Sequence, residues 1–386
     1  MSEYRLLYLS YTGMTESLGQ SQVLSYQKRI AKNNSVHLFS FERRSVTNQL
    51  KNEIDDKGIQ WTPFKSANNK FLRCLTLVYF ALFSLFYIKK NKIDIIHCRS
   101  FFMALVGLFC SIFTNVRFVY DIRGFWVHEL VENNRLKNKY IKKILLHLQG
   151  YLLKKADQIV TLTESSVPYL EMFSKSKILG KVTVIPTCVD LERFNVDLEN
   201  CRSRIKISYV GNTQERYQFD KVLYVMDSLK KLNKNIELEI VTQDINAATE
   251  ALTNNNYDPQ DFKVFSLDFS EMPKYLHSVT AAVFFMNETL TTKAMAPTKF
   301  GEFLACGVYP IVNDNGSDVP RIVRENHVGF VIDPIKIDIE QLYENILSSQ
   351  TNEIKNRSFN VAKKYFDVEV GSRRLNQIYE SFKAEY

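Results

Sequence analysis

The stretch AMAPTKFGEFLACGVYPIV, from Ala294 to Val312, decides the fold class. Within it a proline opens a short amphipathic run, a glycine closes that run, and an apolar segment follows. Proline at the start and glycine just past the end are typical of a helix, and the apolar segment predicts a buried strand. Lys299 and Glu302 are three residues apart, so they would share one face near the start of this helix.

The same succession of helix and buried strand recurs along the chain. Most strand candidates are continuous apolar runs, as expected for parallel strands covered by helices on both faces. In the first half they are Arg5–Ser10, Ser35–Phe41, Ile93–His97, Val116–Tyr120, Asp157–Thr163 and Val182–Pro186. After a polar stretch they are Lys206–Gly211, Ile236–Val241, Phe262–Phe265, Thr280–Met286 and Val308–Asn313. The sequence therefore predicts an α/β protein with two doubly wound domains in tandem.

The chain has 386 residues, more than one ordinary hydrophobic core accommodates. We place the first domain at residues 1–188 and the second at residues 189–365, with the connecting segment near residues 187–203. Several short helices are expected from about residue 339 onward. The last of them, within residues 366–386, could cross back to the first domain.

Composition indicates a folded protein of a reducing compartment. Apolar residues make up 45% of the chain and charged residues 24%, as in ordinary globular domains. The cysteines form no C-x-x-C pair, so neither a disulfide framework nor a zinc site is predicted. They are Cys74, Cys98, Cys110, Cys188, Cys201 and Cys306. The N-terminus reads as a first strand rather than a signal peptide, and we expect a cytoplasmic protein.

The positive charge is concentrated in the first half of the chain. Residues 1–190 hold 27 Lys+Arg and 14 Asp+Glu, whereas the remainder holds 23 and 28. Such asymmetry favours an anionic partner, either nucleic acid or a membrane surface. Two segments, Phe71–Lys92 and Leu136–Asp157, combine apolar and basic residues as interfacial helices do. The uninterrupted apolar run Leu75–Ile88 is short for a spanning helix, so we predict peripheral attachment. An equally good explanation without a membrane is that the first segment is a buried helix and the second has a lysine-rich face in solvent.

In open α/β sheets, ligands bind at the loops that follow the strands. The first such loop contains Gly13 and Gly19 but no G-x-G-x-x-G pattern, which argues against a dinucleotide-binding dehydrogenase. Its glycines serve either ligand contact or turn geometry. In the second half, Gly211 ends a strand, and Arg216 and Lys221 precede a helix whose N-terminus favours an anion. A nucleotide phosphate would fit there, and so would a plain surface turn.

Four charged residues follow two other strands of the first half. Arg99, Asp121, Arg123 and Glu129 would approach one edge of the sheet. The two guanidinium groups can bind phosphate or carboxylate, and the two carboxylates are candidate general bases or anchors for a hydroxyl group. Ion pairs among the four residues are an equally economical interpretation. His97 lies at a strand end, where a lone histidine is more often packed than catalytic.

These motifs together resemble the group 1 glycosyltransferases (glycosyltransferase family 4) of the GT-B fold. The resemblance rests on YVGN, PTKFGEFLACGVYPIV and NDNGSDVPRIVRENHVGFVI, and it spans nearly the whole chain. It implies two Rossmann-like doubly wound domains that face each other across a cleft. The N-terminal domain would bind an acceptor and the C-terminal domain a nucleotide-sugar. The implied enzyme is a hexosyltransferase-like glycosyltransferase, whose nucleotide-sugar is a substrate rather than a cofactor.

The resemblance also assigns roles to particular residues. Glu302 would contact the ribose of the donor, while Arg216 and Lys299 would face its diphosphate. The donor-binding set is Gly19, Gly211, Asn212, Arg216, Pro297, Thr298, Lys299 and Glu302. The candidate catalytic set is Asp121, Arg123, Glu129 and Arg99. The resemblance implies a transfer that retains the anomeric configuration and needs no metal. In keeping with this, no D-x-D triplet occurs in the sequence.

Three positions depart from the family pattern. Ala294 lies eight residues before Glu302, where the family often has a second glutamate. Asp121 stands where many members have a histidine, and Arg321 stands where a glutamate is usual. We therefore expect an unusual donor sugar, with Arg99 and Arg123 facing either a carboxylate on the donor or a phosphate on the acceptor.

The basic first half suits a lipid-linked or oligosaccharide acceptor at the inner face of the cytoplasmic membrane. The expected pathway is bacterial surface-glycan assembly, such as capsule, O-antigen or lipopolysaccharide. A transferase that uses a CMP-activated ulosonic acid is the nearest alternative, followed by a sugar-nucleotide epimerase. A non-catalytic nucleic-acid or glycan-binding protein is the third. No nucleic-acid partner is predicted, because the sequence contains no nucleic-acid-binding motif.

Overall fold

The computed structural model describes residues 4–66, 69–199 and 204–383 of the chain. Two compact units are present. Unit 1 consists of Met1–Pro186 together with Val368–Tyr386, and unit 2 of Thr187–Asp367. Cys201 and the last part of the predicted connecting segment lie outside the described residues.

Unit 1 contains a parallel sheet whose strands are named here in chain order. They are β1 Arg5–Ser10, β2 Ser35–Glu42, β3 Ile59–Lys65, β4 Ile95–Arg99, β5 Arg117–Asp121, β6 Gln158–Thr161 and β7 Val182–Val184. In the described part of the chain this sheet has seven strands in the order β3-β2-β1-β4-β5-β6-β7. β3 was not among the predicted strands. It lies at the edge of the sheet, where a proline such as Pro63 is tolerated.

The helices of unit 1 connect these strands. They are α1 Ser17–Gly19, a π-helical segment Gln20–Leu24, α2 Ser25–Ile30, α3 Asn48–Asp55, α4 Lys70–Asn91, α5 Phe101–Phe113, α6 Trp126–Glu132, α7 Lys139–Lys155, α8 Val167–Ser174 and the C-terminal helix Val368–Ser381. Short 3₁₀ turns occur at Glu164–Ser166 and Leu179–Lys181. Right-handed crossovers place α4, α5 and α7 on one face of the sheet. On the opposite face, the C-terminal helix packs against α2.

Helix α4 lies on the sheet through one side only. Phe80, Ser84 and Ile88, four residues apart, are buried, and Phe80 contacts the rings of Phe41 and Phe64. Leu72–Asn91 is nevertheless long and apolar enough to cross a membrane, and α4 is the one helix of the described residues for which this holds. The sequence-based expectation counted the shorter run Leu75–Ile88, so on length alone it is corrected. Phe80, Ser84 and Ile88 hold one side of α4 in the core of unit 1, whereas 17% of the apolar window as a whole is buried.

Unit 2 repeats the architecture. Its strands are β8 Lys206–Val210, β9 Glu237–Val241, β10 Phe262–Phe265, β11 Ala281–Phe284, β12 Tyr309–Asn313 and β13 Phe330–Ile332. Its helices are α9 Phe219–Leu232, α10 Ile245–Asn254, α11 Met272–Ser278, α12 Leu290–Lys293, α13 Thr298–Ala305, α14 Asp318–Asn326, α15 Ile339–Ser348 and α16 Asn352–Tyr365, with 3₁₀ turns at Glu215–Tyr217 and Pro259–Asp261. In the described residues the sheet is parallel, with six strands in the order β10-β9-β8-β11-β12-β13.

Both sheets reverse their strand order once, and that point is where doubly wound proteins bind ligands. In unit 1 the reversal lies between β1 and β4, and in unit 2 it lies between β8 and β11. The predicted α/β class and the two doubly wound sheets are thus confirmed. Strand β13 was not among the predicted strands, and it begins four residues after the end of α14.

Candidate functional site

Three adjacent strands of unit 1 bring polar side chains together. Strand β1 pairs Ser10 with Arg99 of β4, and β4 in turn pairs Arg99 with Asp121 of β5. Residues two apart in a strand share a face, so His97 lies on the same side as Arg99. The predicted residues Arg99 and Asp121 are therefore direct neighbours at the carboxyl end of the sheet.

Asp121 is the centre of this group and is only 3% exposed. Its Oδ1 lies 3.4 Å from Nη1 of Arg123, and its Oδ2 lies 3.4 Å from Nε2 of His97. The hydroxyl of Tyr8 is 3.5 Å from the same Oδ2. Burial alone would raise the pKa of Asp121, but Arg123, His97 and Arg99 outweigh it and hold that pKa well below its ordinary value. A carboxylate of such low pKa is a weak general base, so Asp121 is suited to orienting a hydroxyl group.

His97 connects this group to the C-terminal helix. Its ring stacks on Tyr8 at 4.5 Å, and its Nδ1 lies 2.8 Å from the hydroxyl of Tyr379. Burial lowers the pKa of His97 against the opposing effect of Asp121, so the ring is neutral at pH 7. A carboxylate can only accept, so we assign the ring proton to Nε2, and Nδ1 then accepts from Tyr379. Tyr379 is 282 residues from His97, and no local sequence signal marks the pair.

Arg99 is buried, with 7% of its surface exposed. Its Nη1 donates to Oγ1 of Thr12 at 3.2 Å. Its Nε has no hydrogen-bond partner among the described residues. Burial lowers the pKa of Arg99 and neighbouring Arg123 lowers it further, yet a guanidinium remains charged at neutral pH. The next residue, Ser100, has a φ of 88°, a backbone conformation that favours glycine and costs a serine energy.

Arg123 completes the group, whereas Glu129 does not lie at a strand end. The side chain of Arg123 is 15% exposed, so the group reaches the surface of unit 1. Asp121 outweighs the effect of burial and raises the pKa of Arg123. Glu129 is half-buried in the first turn of α6. Its predicted catalytic role stays a prediction.

The first loop of unit 1 is held by an internal carboxylate. Glu42 accepts from the backbone nitrogens of Met14 and Thr15 at 2.8 and 3.0 Å. A Cβ atom on Gly19 would lie 1.9 Å from the carbonyl oxygen of Gly13. Gly19 is thus required for close packing between this loop and the helix. The prediction that Gly19 contacts the donor stays open.

In unit 2 the two loops at the strand reversal are hydrogen-bonded to each other. The backbone nitrogen of Asn287, after β11, donates to the carbonyl of Arg216, after β8, at 2.8 Å. Asn212 is fixed within its own loop, since its carbonyl accepts from Tyr209 at 2.5 Å. A Cβ on Gly211 would lie 3.0 Å from that tyrosine hydroxyl. The structure therefore brings Gly211, Asn212 and Arg216 into one loop, as predicted from sequence spacing.

Helix α13 places a carboxylate in the interior of unit 2. Pro297 precedes the first helical residue, Thr298, rather than lying inside the first turn. Glu302 is 1% exposed, and its Oε2 accepts from Nζ of Lys299 at 2.9 Å. The resemblance assigned Lys299 to the diphosphate, whereas in the structure this lysine neutralises Glu302. Gly301 allows the helix to pack closely, because a Cβ there would lie 2.9 Å from Cγ2 of Val189.

The structure shows the surroundings of two residues that depart from the family pattern, Ala294 and Arg321. Ala294 is buried at the end of α12 and offers no polar atom in its side chain. Arg321 lies on α14 and pairs with Glu325 at 3.2 Å and with Asp318 at 3.7 Å. As regards metals, the described residues include no group of three or more His, Cys, Asp or Glu that could hold an ion.

Two family models match consecutive parts of the chain. Residues 25–193 match Glycosyltransferase Family 4, and residues 196–364 match Glycosyl transferases group 1. No protein among the curated sequences matches the chain significantly.

Several solved structures have the same fold, and one of them is described as a glycosyltransferase. A sucrose-phosphate synthase from Thermosynechococcus elongatus aligns with a TM-score of 0.71 at 14% identity, over 99% of this chain and 100% of that one. A glycosyltransferase from Rickettsia africae aligns with a TM-score of 0.71 at 17% identity, over 99% of each chain. The Anabaena protein HepE, in complex with UDP and glucose, aligns with a TM-score of 0.69 at 12% identity, over 98% and 100%.

Proposed function

Because the chain belongs to the group 1 glycosyltransferases of family 4, we propose that it transfers a sugar from a nucleotide-sugar to a lipid-linked or oligosaccharide acceptor. The observation that supports this proposal is the buried pair of Lys299 and Glu302 in α13. Taking a carboxylate out of water costs free energy that pairing often does not recover, so this pair is better explained by ligand binding than by stability.

The donor would bind to unit 2 at the reversal of its strand order. Glu302 can accept from both ribose hydroxyls with the oxygen lone pairs that Lys299 does not occupy. Arg216, in the loop after β8, supplies positive charge for the diphosphate. HepE was solved with UDP and glucose, which is consistent with a nucleotide-sugar donor. The proposed transfer retains the anomeric configuration and needs no metal, and the anomeric proton coupling of the product, with EDTA present, tests both points.

A thermal-shift screen tests the donor site. Purified protein is compared with Glu302→Ala in the presence of UDP, GDP, ADP, dTDP, CMP and CDP. A nucleotide at 100 times its dissociation constant stabilises the parent by about 2.7 kcal/mol, and we expect this stabilisation to disappear in the variant. Glu325→Ala, which removes an exposed carboxylate of α14, is the matched control and should respond like the parent. Equal stabilisation of parent and Glu302→Ala would exclude the proposed site.

A second donor class is favoured by one observation. Ala294 provides no carboxylate for donor hydroxyl groups. An acidic donor sugar, such as a CMP-activated ulosonic acid, would match this feature, because a carboxylate at that position would repel the acidic group. In the same screen, stabilisation by CMP alone would support this alternative, and stabilisation by a diphosphate would exclude it.

We further propose that unit 1 attaches to the inner face of the cytoplasmic membrane, where a lipid-linked acceptor of bacterial surface polysaccharide would be present. Helices α4, α5 and α7 share one face of the sheet, and α5 contacts both neighbours. No Asp or Glu occurs in the three helices. Four basic residues lie in α4 and five in α7. Such a surface is attracted to anionic lipids.

The outer side of α4 supplies the apolar part of this surface. Leu72, Leu75, Val78, Tyr79, Leu82 and Phe86 are each 51–64% exposed. Their three- and four-residue spacing places them opposite the buried Phe80 and Ser84. An apolar stripe between basic ends is typical of helices that lie in the interface. The buried side of α4 keeps the helix on unit 1, so the proposed attachment is peripheral.

Vesicle flotation tests the attachment. We expect the protein to float with phosphatidylglycerol vesicles at low salt and less so at high salt, and to ignore pure phosphatidylcholine. Leu75→Glu combined with Leu82→Glu should weaken binding at least about tenfold, because two leucines no longer enter the interface. Ile335→Glu, at an exposed position of unit 2, is the control. Unchanged flotation of the α4 variant, or none by the parent, would exclude this surface.

A further inference from the structure

The charges at the carboxyl ends of β4 and β5 do not cancel. Arg99 and Arg123 are positive, Asp121 is the carboxylate that acts on both, and His97 is neutral. One positive charge is therefore left over in a group that is largely buried. A buried charge without a counter-ion costs free energy. A network kept only for stability would have balanced charges, and this one does not.

The hydrogen-bonding groups at this place are incomplete as well. Nε of Arg99 has no partner in the described part of the chain, and neither has the buried Oγ of Ser100. Ser100 is also the N-cap of α5, and its side chain makes no capping bond. The α5 N-terminus adds a partial positive charge at the same point. Arg99, Ser100 and the first turn of α5 follow one another in the chain, so each can supply a donor to an acceptor that bears negative charge.

We propose that Arg99 and Arg123 form a binding subsite for an anionic group, carboxylate or phosphate, of the acceptor. Ser100 and the first turn of α5 provide further donors to the same group. The proposal rests on the proposed transferase function, because that function assigns unit 1 to the acceptor. The partial exposure of Arg123 provides the way in from solvent.

The chemistry of the donors defines the ligand. A guanidinium presents a planar fork that matches the oxygens of a carboxylate or phosphate. The carboxylate of Asp121 can accept a hydrogen bond from a hydroxyl group of the same molecule. The ligand is therefore a sugar or sugar phosphate with an acidic group near a free hydroxyl. A neutral sugar would leave the charge of Arg99 uncompensated.

The Nε–H resonance of Arg99 reports on this subsite directly. It is identified in the arginine side-chain spectrum as the signal lost in Arg99→Lys, which keeps the positive charge. Inorganic phosphate and glucuronate are titrated separately at constant ionic strength. We expect one of them to shift this resonance saturably, and Arg123→Gln to weaken that binding about tenfold or more. A shift with phosphate identifies a phosphorylated acceptor, and a shift with glucuronate identifies an acidic sugar.

A stability measurement separates a binding role from a structural one. If Arg99 is kept for a ligand, Arg99→Gln without added anion should unfold at the same or a higher urea concentration than the parent. Arg117→Gln removes an arginine from the other end of β5, where it pairs with Asp157 at 3.5 Å, and serves as the control for charge. An Arg99 resonance that neither anion moves would overturn the proposal, as would marked destabilisation by Arg99→Gln. The nucleotide screen is independent of both results, so failure of the donor site can be recognised separately.

Discussion

At the scale of single residues, the buried carboxylate of Glu302 depends on one lysine. Lys299 is 30% exposed, whereas Glu302 is 1% exposed, so removing the lysine leaves a negative charge in the core of unit 2. We expect Lys299→Ala to lower the free energy of unfolding by about 2 kcal/mol. Adding Glu302→Gln to this variant should restore much of the loss, because the charge that needed compensation is gone. Urea unfolding of the single and double variants measures the difference, and additive losses would contradict the pairing.

Among single residues, some contacts were predictable from the sequence and others were not. Lys299 and Glu302 were found from their spacing and from the family resemblance, because a helix places residues three apart on one face. Arg99 and Asp121 were found because strand ends of a parallel sheet converge. Tyr379 was not found, since its contact with His97 depends on where the C-terminal helix packs, which no local pattern specifies.

At the scale of elements, the start of the first helix tolerates no side chain at Gly19. A Cβ atom there would lie 1.9 Å from the backbone oxygen of Gly13 and 2.7 Å from its carbonyl carbon. Backbone atoms cannot rotate away, so we expect Gly19→Ala to cost 3 kcal/mol or more, above the usual range of about 1–3 kcal/mol for overpacking. Gly180→Ala is the control, because nothing lies within 4 Å of a Cβ at that position. Thermal unfolding compares the two, and similar melting temperatures would contradict this packing.

Strand prediction succeeded for the central strands and for the edge strands β7 and β10, and it missed the other two edge strands, β3 and β13. Central strands such as β1 and β12 are buried along almost their whole length, and continuous apolar sequence identifies them. These two strands are less completely buried than the central ones. In β3, Pro63 interrupts the apolar pattern, and β13 begins four residues after the end of α14. Helix α4 was recognised as apolar and basic, but its two sides could be assigned only once the sheet was known.

At the scale of the whole molecule, the two units differ in the charge they carry and in where buried histidines lie. The basic excess belongs to residues 1–190, which contribute most of unit 1. Three histidines of this unit, His37, His97 and His128, have pKa values lowered chiefly by burial. Each is therefore neutral in the folded protein at a pH where the unfolded chain already binds a proton.

The consequence is acid sensitivity in unit 1. A histidine with a lowered folded pKa contributes stability that is present at neutral pH. This stability declines as the pH falls below about 6.5, the value for an unperturbed histidine. The slope is at most about 1.4 kcal/mol per pH unit for each histidine, with less from the partly exposed His128. Asp121 does not obscure the effect, because its lowered pKa means that its contribution is lost only in stronger acid.

We therefore expect the free energy of unfolding of unit 1 to decrease between pH 7.5 and pH 5.5. Hydrogen exchange resolved by peptide and corrected for its intrinsic pH dependence measures each unit separately. His97→Gln, which keeps a neutral hydrogen-bonding side chain, should reduce the pH slope of unit 1. The comparison uses this slope and not the stability at pH 7.5, because the variant also changes the hydrogen bond to Tyr379. Because His97 is the most deeply buried of the three, its replacement should remove the largest share of that slope. A slope unchanged by His97→Gln would mean that the ring is already charged in the folded state. The net charge of the network around Asp121 would then be two positive charges instead of one.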